Sequence, residues 1–169
     1  MEGWLPRIMV STDIALITKN INHFCGFVSM AEYFSDYSDK LSKIWLPLGL
    51  LNADALEDVE VYENWNVKYQ QEAIELTTEF LNELELFFND IVANIVNNED
   101  KFHILFNKLE NDDYFKSKFS PYWNELDTLY FIFNDDREMF VDKYKNELID
   151  LLLKIIHFYP YKFLDVSSN

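Results

Sequence analysis

The residues with most chemical potential in this sequence are its carboxylates. Thirty Asp and Glu stand against 14 Lys and Arg. Paired carboxylates can hold a divalent cation, relay a proton or bind a cationic partner. Other chemistry-bearing types are scarce. His23, His103 and His157 are far apart, and none completes an HExxH, CxxC or ExxH pattern, so the usual zinc and di-iron ligand sets are missing. No GxxxxGK[ST], GxGxxG or GxSxG occurs, and 3 glycines cannot build phosphate-cradling or nucleophile-presenting loops. Cys25 is the only cysteine, which excludes an intrachain disulfide. It sits in the apolar run Phe24-Cys25-Gly26-Phe27-Val28, where a buried, inert thiol is expected. No catalytic residue, cofactor or metal is therefore expected.

The acids are unevenly distributed. Residues 1–50 carry five acids and four bases, and residues 101–169 carry twelve and nine. Residues 51–100 carry thirteen acids and one base, Lys68. Most of the net charge of −16 thus lies in under a third of the chain. At 100° per residue, Glu72, Glu75, Glu79, Glu83 and Asp90 fall in one helical sector of about 80°, over about 27 Å of helix. No Lys or Arg stands three or four residues after any of them. Like charges at i, i+4 destabilise a helix, so a helix selected for stability alone would interleave bases. Just upstream, Asp54, Glu57, Asp58, Glu60 and Glu63 add five acids in ten residues. A charge of −16 exceeds the magnitude of ~2–8 that keeps a small domain soluble. The bland reading is a solvated face; the functional one is a docking surface for a basic partner. Tyr62, Trp65 and Tyr69 lie between the two acidic groups, and Tyr and Trp serve well as interface anchors. For Trp65, a buried helix entry is the competing role.

Glu72-x-x-Glu75 and Glu110-x-x-Asp113 resemble, in residue type, the ExxE and ExxD pairs of all-α nucleotide pyrophosphohydrolases of the MazG type, which hold Mg²⁺ from adjacent helices. The resemblance implies a Mg²⁺-dependent hydrolase. It covers these four residues only. The 34 intervening residues exceed the family's usual spacing, and Glu110–Asp113 straddles a helix break. Glu72 and Glu75 also project away from the apolar stripe of their helix.

The elements that must carry these residues read as helices. Apolar residues recur at three and four, with only 3 Gly and 4 Pro to interrupt them. Ser11 or Thr12 caps a first helix to about Tyr37, with Ile14, Ile17, Ile21, Phe24 and Val28 in one stripe. Ser38 opens a short helix that Pro47 and Gly49 end or kink. Val59–Tyr62 could be briefly extended. The longest helix runs from about Glu63 to Asn97, its apolar side formed by Ile74, Leu81, Leu84, Phe88, Ile91 and Ile95. Phe102, Leu105, Phe106 and Leu109 mark a short helix, and Asn111-Asp112 a break or cap. Ser120-Pro121 starts another, with Ser120 as cap, and it runs through Leu126, Leu129, Tyr130 and Phe133. Asp135 and Glu138 have capping-box spacing. Val141, Tyr144, Leu148, Leu151, Leu152 and Ile155 line a last helix that Pro160 stops, leaving a frayed tail.

The expected architecture is all-α, an irregular bundle of five to six helices in a single domain over residues 1–169. The hydrophobic content of 49% excludes disorder. The acidity disfavours direct nucleic-acid binding. No stretch reaches the ~18 apolar residues of a membrane span, and the N-terminus lacks a secretory pattern, so a cytoplasmic location is expected. The functional expectation is an inhibitor of a basic protein partner, such as a nuclease toxin or another nucleic-acid enzyme. Its docking residues would be Glu57, Asp58, Glu60, Glu63, Glu72, Glu75, Glu79, Glu83 and Asp90 with Tyr62, Trp65 and Tyr69. The stripe alone is too sparse to imitate duplex DNA, which carries one charge per ~1.7 Å. The second expectation is an assembly subunit that binds itself or another helical protein.

Overall fold

A computed structural model describes residues 19, 21–23, 26, 35–62 and 67–167; for 35–38, 56–62, 67, 68 and 70 the description is of backbone alone. The predicted cap at Ser11 or Thr12, most of the first stripe, Cys25, Glu63 and Trp65 lie outside the described residues, as do the side chains of Glu57, Asp58, Glu60 and Tyr62. Two compact units divide the chain, Met1–Phe87 and Phe88–Asn169, with the boundary inside a helix.

The described residues are all-α, and no strand occurs among them. From residue 35 on, the described residues form eight α-helices, more than the five to six expected: α1 Ser35–Tyr62, α2 Val67–Val96, α3 Glu99–Glu110, α4 Asp113–Lys118, α5 Ser120–Asp135, α6 Arg137–Met139, α7 Lys145–Ile156 and α8 Pro160–Ser167. The excess comes from breaks at which the chain at once restarts as helix. No helix among the described residues is long and apolar enough to cross a membrane.

Helix α1 corrects two expectations. It passes through Pro47 without ending, and 59–62 is helical, not extended. An interior proline costs ~3 kcal/mol through a lost hydrogen bond and a ring clash. Two features offset this. Leu41, Leu48, Leu51 and Ala55 are buried along one side of the helix. Pro47 and Lys43 are exposed, so the carbonyl that Pro47 leaves without a donor can reach water. Gly49 lies under the Trp45 side chain, which fills its side of the helix.

In the unit from Phe88 onward, apolar periodicity identified the core. Phe102, Leu105, Phe106 and Leu109 of α3 are buried, as are Leu126, Leu129 and Phe133 of α5 and Leu148, Leu151, Leu152 and Ile155 of α7. Helix α3 packs on α4 and α8; α5 packs on α4 and α7. Val141 breaks the predicted face and is exposed. A π-helical turn, Phe140–Tyr144, separates α6 from α7. Its wider spacing rotates Val141 out of phase with Leu148.

Two cap assignments and one helix end also change. Asp136, not Asp135, caps α6, accepting from the Met139 amide at 2.9 Å. Phe119 occupies the cap position of α5, so Ser120 is the first helical residue and makes no side-chain cap. Pro160 does not simply stop a helix but opens α8, whose Val166 and Ser167 are buried instead of frayed. The predicted break at Asn111-Asp112 holds: Asp112 caps α4 by accepting from Phe115.

Candidate functional site

Helix α2 has no base in its last turn and no acid in its first. From Ala73 to Phe87, Ala73, Thr77, Phe80, Leu84 and Phe87 are buried, stepping by four and three. Of the predicted face, Leu84, Phe88, Ile91 and Ile95 are buried; only toward the N-terminal end of α2 is the buried side rotated, by roughly 50°, away from Ile74 and Leu81. Ile74 is instead 60% exposed and Leu81 only half-buried. Apolar periodicity allowed either face, because Ile74, Leu76 and Leu86 lie outside the buried arc and none of them is fully buried.

The rotation brings the acidic sector nearer to the buried side. Glu72, Glu75 and Glu79 remain exposed. Gln71 donates a hydrogen bond from Nε2 to Glu75 Oε1 at 3.0 Å. Among the described residues no cation pairs with these three carboxylates. Glu83 differs. Its side chain is only 24% exposed, and Lys40 of α1 forms an ion pair with it. The unneutralised stripe predicted from α2 alone is therefore shortened, because its counter-charge comes from another helix. Asp90 is exposed in the second half of α2 and Tyr69 is half-buried in its first turn. The upstream acids Glu57, Asp58 and Glu60 lie on the C-terminal part of α1, with their side chains outside the described residues, as is the whole of Glu63.

In the second unit, α3 and α5 border an open groove of about 380 Å³ that sequence reasoning missed. Phe106 and Glu110 line it from α3; Asp127, Tyr130, Phe131, Asn134 and Asp135 line it from α5. The α5 residues follow i, i+3, i+4, i+7, i+8, a single helical face. That face escaped notice because Leu126, Leu129 and Phe133, one position away, form the core stripe. The Tyr130 ring is stacked on Phe106, nearly parallel at 3.5 Å between centroids. Its hydroxyl is hydrogen-bonded to His103 Nδ1 at 2.7 Å. Phe131, by contrast, is 70% exposed.

A polar cluster joins α4 to α8. Lys162 Nζ lies 3.1 Å from the Asp112 carboxylate. Burial pushes the Asp112 carboxyl up, but the Phe115 amide, Lys162 and the Tyr114 amide together hold it below its ordinary value. Burial, with Tyr161 and Asp112 nearby, pushes the Tyr159 phenol well above its ordinary range. This chemistry serves structure: Asp112 stays ionised as a cap, and Tyr159 stays neutral.

Glu110 and Asp113 end one helix and begin the next, so they do not form a pair along one helix. Asp113 is paired with Lys116 at 3.2 Å. Among the described residues no group of three or more His, Cys, Asp or Glu is arranged to hold a metal ion. Comparison of the chain with protein-family models, with curated proteins and with solved structures finds no match.

Proposed function

We propose that this chain is an acidic helical binding protein that docks on a basic partner and occludes a cationic groove, in the manner of an immunity protein or antitoxin acting on a nuclease or another nucleic-acid enzyme. The observation that supports this reading is the exposed run of Glu72, Glu75 and Glu79 on α2, where no described cation pairs with the carboxylates. Opposed charge across such an interface steers encounter and can raise association toward ~10⁸ M⁻¹s⁻¹ at low salt. Affinity would then depend on burial of a few aromatic or aliphatic side chains at the contact.

The test is charge reversal at Glu72, Glu75 and Glu79 together. Glu83 is left intact, because its reversal would also break the Lys40 pair. A basic protein captured at low salt by the unaltered chain should lose its nucleic-acid binding in the complex. The triple variant should neither capture nor inhibit it, while retaining helical circular dichroism. Capture that survives the triple change defeats the reading.

A second reading, an assembly subunit, has its own support. Leu46 and Leu50 lie one turn apart on α1 and are both more than half exposed. Apolar association of this kind would persist at high salt, whereas electrostatic docking would fade. Sedimentation at two ionic strengths separates the two.

A further inference from the structure

We infer that the groove between α3 and α5 is a docking site for an arginine side chain presented by a basic polypeptide. The inference rests on other residues than the α2 carboxylates and stands or falls separately from the reading above. Three features of the groove point to this occupant. The first is charge: Glu110, Asp127 and Asp135 border it, all exposed. The described cations of this unit do not serve them. Lys108 pairs with Asp165, Lys116 with Asp113, Arg137 with Glu99 and Lys162 with Asp112, and Lys145 donates to Asn97.

The second feature is the aromatic surface. The exposed Phe131, and the half-buried Tyr130 that is backed by the buried Phe106, place aromatic rings beside the carboxylates. Guanidinium suits such a site better than ammonium, because it stacks on rings and forms forked hydrogen bonds to carboxylates at once. The same unit already contains this contact: the Arg137 guanidinium lies 3.7 Å from the Phe133 ring centroid, with Glu99 alongside. The third feature is shape. A volume of about 380 Å³ is large enough for one or two side chains. The groove is open, whereas small-molecule sites bury most of the ligand surface. A side chain held by its own polypeptide needs no such enclosure. The anchored ring of Tyr130, tied by its hydroxyl to His103, means that little ordering is required on binding.

The test is titration of the full chain, at low salt, with a short peptide of alternating Gly and Arg, followed by NMR and calorimetry. The resonances of Tyr130, Phe131 and Asp127 should shift. Phe131→Ala and, separately, Asp127→Asn with Asp135→Asn should each weaken binding about three- to fivefold. Reversal of Glu75 and Glu79 should leave those shifts unchanged. All these carboxylates and Phe131 are exposed, so the variants should fold, and the Asp→Asn pair serves should Phe131→Ala fail. Equal binding by the variants overturns the inference. So does equal affinity for the matching Gly-Lys peptide, or for free arginine amide, since the site would then not select a guanidinium held on a chain.

Discussion

Lys40 of α1 is ion-paired with Glu83 of α2, joining two consecutive helices through residues far apart in sequence. Glu83 is the least exposed of the four carboxylates in the first half of the acidic sector. Removing the lysine should leave that carboxylate partly buried and without its partner. Lys40→Met is expected to cost up to about 1 kcal/mol, as partly exposed pairs do. The double variant Lys40→Met, Glu83→Gln should recover most of that loss in urea unfolding, and a double-mutant cycle isolates the coupling.

Glu79 lies four residues from both Glu75 and Glu83, so it makes two repulsive pairs on the surface of α2. Glu79→Lys should turn both into attractive ones and stabilise the protein by about 0.5–1 kcal/mol, seen as a higher Tm. The same change should weaken binding of a basic partner. Opposite signs for stability and binding would indicate that the repulsion is retained for docking; a loss of both would not.

Asp112 links pH to stability. Its carboxyl titrates below its ordinary value of 3.8 because ionised Asp112 caps α4 and faces Lys162. A lowered pKa gives stability that is present in full above the unfolded value and is lost as pH falls through the folded one. Asp112→Ala should therefore cost about 1–2 kcal/mol near neutral pH. In strong acid, below the folded pKa, wild type and variant should converge in urea midpoint.

The corrected caps give a paired test. Asp136 accepts from the Met139 amide, whereas Ser120 makes no side-chain cap. Asp136→Ala should cost about 1 kcal/mol, and Ser120→Ala should stay within about 0.5 kcal/mol. Thermal melts of the two variants check the assignment directly.

At Gly49, a Cβ would sit 3.7 Å from the Trp45 ring, an ordinary contact. The position lies inside α1, where glycine costs conformational entropy in folding. Gly49→Ala should raise stability by about 0.5–1 kcal/mol.

The sequence by itself determined the helical class, the concentration of charge in residues 51–100 and the buried faces of α3, α5 and α7. Those properties are periodic or compositional, and a local pattern carries them completely. It also marked Asp112, because a cap is made within one turn. Tertiary structure decided what local pattern leaves open. Pro47 could lie inside α1 because its neighbours bury one side and leave the proline in water. Leu84, Phe88, Ile91 and Ile95 of α2 are buried as their spacing predicts, but which side of its N-terminal part is covered depended on its neighbours, and that choice left Ile74 exposed and turned Glu83 toward Lys40. The α3–α5 groove has no signature in the linear sequence, since its carboxylates come from two helices and become neighbours only when those helices pack. Electrostatics and concavity act across space, whereas helix formation acts along the chain; the sequence therefore spoke plainly about elements and only faintly about surfaces.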